Sequence, residues 1–265
     1  MSLIVLVSPG GSPGVTTTGL ALAMAWPRKA VLAECDPAGG AVLAGLWRGQ
    51  PPACAGSAGL VRYALLAQHD ARLAAAELCA ESVPLSARPC RQFVLPAPAG
   101  PLAEWQIAAA WPALAAAFAA APADVIADAG RLDGQTALAP LLAAADTVLM
   151  ICHPTIRQAA AALPRLATLA GIRAEDRPAS LVLVGEGPYG PESARTLSQA
   201  LEVPVRGSLP DDPGTAAVLS DGAAPGRRFG RAPLMRAATA LAAGLAREHT
   251  PRPAPAAAVP VTAGR

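Results

Sequence analysis

Seven short runs of β-branched and aliphatic residues recur along this chain, most of them followed by a loop and an alanine-rich stretch of helical pattern. They are LIVLVS at 3–8, AVLAEC at 30–35, QFVLPA at 92–97, DVIADA at 124–129, TVLMIC at 147–152, SLVLVG at 180–185 and the weaker PVRGSL at 204–209. Strands that are apolar on both faces and alternate with helices belong to a parallel sheet covered on each side. The expected fold class is therefore α/β, a doubly wound and mainly parallel sheet with helices on both faces. Helices are expected at about 15–26, 58–68, 104–120, 135–144, 155–170, 191–201 and 233–247. One domain spans 1–247, and the Pro/Ala-rich residues 248–265 read as a disordered tail.

Composition narrows the function classes. The 265 residues are 53% hydrophobic but only 3% aromatic, which suits a core of Ala, Val and Leu. A net charge of +2 gives no global polybasic signal for nucleic acid or anionic lipid. No apolar stretch reaches the length of a membrane span before Pro, Gly, Asp or Arg interrupts it, so the expected location is cytoplasmic. Cys35, Cys54, Cys79, Cys90 and Cys152 are scattered without a C-x-x-C pair, the pattern of buried thiols and not of disulfides or a metal site. The segment Pro233–His249 is helical in pattern, but small alanines dominate its apolar face, which favours core packing over membrane attachment.

Ligands of such sheets bind at the carboxyl ends of the strands, so the strand-to-helix loops hold the candidates. The first loop, SPGGSPGVTTTG, follows the first strand and precedes a helix. A phosphate loop needs glycines that let backbone N–H groups wrap a phosphate, a lysine for the charge and a hydroxyl for magnesium. Gly10, Gly11 and Gly14 supply the turn, with Ser12 and Pro13 between them, and Thr16 and Thr17 supply hydroxyls. Val15 stands where the lysine belongs. Lys29 is the only lysine in the chain, fourteen positions on and toward the wrong end of the helix. The second strand ends in Glu34-Cys35-Asp36-Pro37, where Asp36 either orients a water or a magnesium-bound water or caps its turn. The third informative loop is ADVIADAGRLDG, whose Asp128 ends an apolar strand and either binds magnesium in the manner of a Walker B carboxylate or caps its turn.

Taken in order, these motifs resemble the ParA/MinD family of deviant Walker ATPases over nearly all of residues 1–247. The family's loop, K-G-G-x-G-K-[S/T]-T, aligns with Gly10 to Thr17, and its D-x-D-P-Q-G segment with Glu34 to Gly39. The stretch ADTVLMICHPTIRQ, Ala145 to Gln158, and the stretch from Leu201 to Pro225, with its turn Pro210-Asp211-Asp212, are also similar. The resemblance implies ATP or ADP with Mg²⁺ as ligand, the loop residues Gly10 to Thr17 around the phosphates, and Pro210 and Asp211 near the adenine. Thr16, Asp36 and Asp128 would serve the metal, and Asp36 would be catalytic if the protein is active. It also implies protein partners, a homodimer, and jobs such as partition, septal or polar placement, or TadZ-like localisation of a pilus or secretion machine. Both family lysines are replaced here, by Gly10 and Val15, and the position near Gly185 has no amide side chain for the base. The expectation is weak or absent nucleotide binding with little or no hydrolysis. An active enzyme in which Arg131 or Arg157 replaces the lysine is the alternative. Nonspecific DNA binding has one clustered candidate, Arg227, Arg228 and Arg231. A dinucleotide-binding enzyme lacks its G-x-G-x-x-G spacing.

Overall fold

The computed structural model describes residues 1–10, 13–50, 59–85, 90–98, 107–132, 137–188 and 190–249. Its centre is a sheet of eight strands: β1 (Leu3–Ser8), β2 (Ala30–Glu34), β3 (Val83–Pro84), β4 (Gln92–Leu95), β5 (Asp124–Arg131), β6 (Thr147–Cys152), β7 (Ser180–Val184) and β8 (Val205–Leu209). Their order is β3-β4-β2-β5-β1-β6-β7-β8. All pairings are parallel except β3–β4, and the β7–β8 register slips between Leu181 and Val182. Seven of the eight strands fall on the apolar runs. β3 is too short to show a period.

Burial explains why these runs are strands. Every residue of β1, β2 and β6 is buried, so both faces of each must be covered. One face carries α2 (Leu60–His69), α3 (Ala71–Glu77), α4 (Trp111–Ala120), α5 (Ala139–Ala144), α6 (Ile156–Ile172) and α7 (Ser193–Leu201). The other carries α1 (Val15–Ala25), α8 (Pro213–Ser220) and α9 (Pro233–Glu248). Two departures from the expected helices have local causes. In the helix expected at 104–120, residues 104–106 lie outside the described ones and Ala108–Ala110 form a 3-10 turn that leads into α4 at Trp111, with Pro112 in the first turn, where proline is tolerated. α3 and α8 begin behind Asp70 and Asp212, whose carboxylates accept from the first-turn N–H groups of each helix. The tail residues 250–265, Cys54 and the loop residues Gly11 and Ser12 lie outside the described residues. Among those described, no helix is long and apolar enough to cross a membrane.

A second polar centre sits at the amino edge of the sheet. Asp124, fully buried, accepts from Ser2 N at 2.8 Å, Ser2 Oγ at 3.1 Å, Trp26 Nε1 at 2.7 Å and Arg28 Nε at 2.7 Å. Arg28 also donates to the carbonyls of Ala246 and His249, and His249 Nε2 lies 2.9 Å from Thr147 Oγ1. The start of β1, the start of β5 and the end of α9 are thereby tied together.

Candidate functional site

β1 lies between β5 and β6, and its carboxyl end runs through Pro9 and Gly10 toward α1. Gly14 caps that helix in the left-handed conformation, φ 81° and ψ 41°, which a residue with a Cβ adopts only at a cost. No side chain caps α1 and its first turn holds no acid. The uncapped backbone N–H groups and the positive end of the helix dipole are what an anion would meet at this corner.

Val15 follows directly. It is 7% exposed and belongs to the apolar cluster that includes Ile4, Leu6 and Leu20. Lys29 is no substitute: its Nζ lies 5.8 Å from the centre of the Phe93 ring, at the start of β2 on the opposite edge. Arg131 and Arg157 are both exposed at the carboxyl edge. Arg131 ends β5 in register with Ser8, and Arg157 lies in the first turn of α6.

The acidic residues divide into two kinds. Asp128 is buried, accepts from Gly130 N at 3.1 Å and is hydrogen-bonded by the Thr16 side chain. The two groups expected to share a cation therefore touch. Asp36 approaches from β2: its Oδ1 accepts from Ala38 N at 2.8 Å, and a Cβ added to Gly130 would meet its Oδ2 at 2.0 Å. Gly130, at φ +62°, is thus a glycine for space as well as for conformation. Glu34 is different in kind. Its Oε1 accepts from Ala41 N at 2.6 Å and Val42 N at 2.9 Å, and its Oε2 from Ala97 N at 3.1 Å. Burial pushes its pKa up while these three N–H groups pull it down. Glu34 staples two loops and has little capacity left for a ligand.

Asp128 has a measurable signature. Burial lifts its carboxyl to about 7, opposed by the Thr16 and Gly130 hydrogen bonds and assisted by the charges of Asp36 and Glu34. The native chain therefore holds a proton that the unfolded chain, titrating near 3.8, has lost. Stability on this account falls as pH rises from about 4 to 7. In magnesium-free buffer Asp128→Asn should melt about 5 °C or more above the parent at pH 8 and converge with it near pH 4. Thermal melts across pH check this, and an unchanged difference would show that Asp128 does not carry the effect.

At the other side of the loop, Gly185 directly follows β7, and a Cβ built there would lie 3.7 Å from Asp211 Cβ and 4.0 Å from His153 Nδ1. Pro210 and exposed Asp211 thus stand beside Gly185, while Asp212 is occupied in capping α8. The clustered arginines Arg227, Arg228 and Arg231 are exposed around a single turn of 3-10 helix at Phe229–Arg231.

One residue of the site escaped sequence reasoning. Gln158, 5% exposed, donates from Nε2 to the carbonyl of Gly10 at 2.9 Å, and its Oε1 has no partner among the described residues. Thr155-Ile156-Arg157-Gln158 reads as a capping box, and Gln158 N does donate to Thr155 Oγ1. The side chain, however, leaves the helix end to hold the loop. Among the described residues no three of His, Cys, Asp and Glu form a protein-only metal cage. Magnesium needs none, since it takes one or two carboxylates and completes its shell with water and phosphate.

No family model and no curated protein sequence matches this chain. Solved structures do match. The cell division ATPase MinD of Pyrococcus furiosus is 17% identical with a TM-score of 0.67, covering 94% of this chain and 99% of its own. A ParA family ATPase from Chlorobium tepidum TLS is 14% identical with a TM-score of 0.66, at 91% and 98% coverage. The septum site-determining protein MinD of Pyrococcus horikoshii OT3, complexed with Mg-ADP, is 14% identical with a TM-score of 0.64, at 92% and 95% coverage. The chain has the ParA/MinD fold.

Proposed function

We propose that this protein, built on the ParA/MinD fold, acts in positioning or partition of a cellular cargo by binding partners, with little or no ATP hydrolysis. Pilus or secretion machinery, the division septum and DNA are the cargo classes of this reading. The observation that carries it is Val15, an apolar side chain packed into the core at the point where the phosphate loop needs its cation. Removing a positioned charge from a transferring phosphate withdraws several kcal/mol of transition-state stabilisation. Binding is a separate matter from turnover. The uncapped α1 N-terminus and the hard oxygen donors of Thr16 and Asp128, with Asp36 behind, suit a magnesium-nucleotide. Bound magnesium would supply charge for the phosphates. The part of the site that fits poorly is the cationic part.

The test is calorimetric titration with ATP and ADP in magnesium buffer, alongside Thr16→Ala and Gly14→Val and with a phosphate-release assay. Weak binding that both variants lose, with no turnover, is the expected outcome. Turnover abolished by Asp36→Ala or Asp128→Ala would overturn it. The exposure of Arg131 and Arg157 at the rim favours the second reading, an active ATPase with arginine in place of lysine. In that case the turnover must also depend on one of those two arginines.

A further inference from the structure

Gly10 leads from β1 into the phosphate loop, and packing does not hold it. Its φ of +153° is a backbone conformation that favours glycine, and a Cβ built on it meets nothing within 4 Å among the described residues. Gly11 follows it in the sequence, so the peptide joining the two has the least restricted residue type on either side. What fixes the Gly10 carbonyl comes from a distant helix: Gln158 Nε2 donates to it at 2.9 Å, across 148 positions of the chain.

That donor stands on a firm base. Gln158 lies in the first turn of α6, where its own N–H donates to the Thr155 hydroxyl at 3.3 Å. Farther along the same helix, Arg165 Nε donates to the Leu132 carbonyl at 3.1 Å, and Leu132 N donates to the Ser8 carbonyl at 2.9 Å. α6 is thereby tied to the exits of both β1 and β5, the strands that carry the loop and Asp128. The other half of the Gln158 amide gains nothing, since Oε1 is buried with no partner among the described residues. A buried acceptor without a donor destabilises, and an apolar side chain of similar length would avoid that cost. What the amide supplies against it is the hold on Gly10.

We propose that Gln158 is a positioning residue for anion binding, which keeps the Gly10 carbonyl turned to α6 and so off a bound phosphate. The inference rests on reading the loop as a phosphate site. Backbone N–H groups are what attract a phosphate, and a carbonyl swung toward it would replace attraction by repulsion. The orientation of one peptide counts for more here than beside a lysine, because Val15 supplies no charge and the backbone must carry the anion. Gln158 acts on the ligand only through Gly10.

The experiment compares the parent with Gln158→Met, which keeps the length of the side chain and removes the donor. In nucleotide-free, glycine-labelled protein the carbonyl-carbon NMR resonance of Gly10 should shift and broaden as the freed peptide exchanges between orientations. Affinity for Mg-ADP by calorimetry should fall about three- to ten-fold, the effect of losing one neutral hydrogen bond. The melting temperature should hold or rise, because the unsatisfied oxygen leaves together with the donor. A resonance that does not move shows that Gln158 does not hold the peptide and overturns the proposal without reference to any ligand. A moved resonance with unchanged affinity overturns it too, and a lower melting temperature with unchanged affinity assigns Gln158 to packing instead. A parent that takes up no Mg-ADP defeats the phosphate reading of the loop, and the inference falls with it. The resonance, read without nucleotide, tells that failure from a failure of the Gln158 hold.

Discussion

Val15→Lys is expected to bind Mg-ADP about ten-fold or more tightly than the parent. A charge-assisted contact to phosphate contributes roughly 1.5–3 kcal/mol, which is about ten- to a hundred-fold in affinity. The rest of the corner is already formed: Gly14 makes the left-handed turn, α1 opens without a capping side chain, and Thr16 reaches Asp128. A lysine at the first helical position can leave its stem in the apolar cluster that now holds Val15 and extend its ammonium to the rim. Calorimetry on the folded variant, with its melting temperature recorded alongside, checks this. An unchanged affinity would mean that the first turn of α1 is not where the phosphate sits, and the reading of the loop would fail with it.

Asp124→Ala is expected to lower the melting temperature by about 10 °C or more, since removing one partner of a buried, charge-bearing network costs roughly 3–5 kcal/mol. The variant leaves Trp26 Nε1, Ser2 N and the Arg28 guanidinium without their acceptor. Burial alone would raise the Asp124 pKa, but Arg28, Trp26 and Ser2 together hold it below the usual value. A lowered folded-state pKa gives stability that is present above the unfolded value and lost as pH falls through the folded one. The gap between parent and variant should therefore be full at pH 7 and close below about pH 4. Asp124→Asn, which keeps one acceptor oxygen, should fall between the two. A pH-independent gap would show that packing, and not the carboxylate, carries the loss.

Asp124 also shows what a sequence conceals. In DVIADA both aspartates bracket an apolar run, yet one staples the amino edge and the other faces the site at the carboxyl edge. Strand direction separates their roles, and the parallel pattern of apolar runs made that direction legible. That Val15 and not a lysine follows Gly14 was equally legible, because the identity of a residue needs no coordinates. Glu34 and Gln158 were not. Their hydrogen-bond partners lie seven, eight and 63 residues away for Glu34 and 148 for Gln158, and no local period reports a contact across that distance. α3 and α8 are hidden for a milder reason: they are only seven and eight residues long, and their signals are single caps, Asp70 and the Asp212-Pro213 pair.

The two margins of the sheet bear on how anything can be recruited to this molecule. At one margin β3 pairs for only two residues, one of them Pro84, which has no N–H to offer a newcomer. At the other, β8 is irregular in its register with β7, carries exposed Arg206 engaged with Glu248, and has α9 packed along it. Among the described residues neither margin offers a long, regular strand to an incoming extended peptide, so β-augmentation is disfavoured at both. Adaptors selected against it should be helical or should grip its loops, and a screen of extended peptides should return nothing.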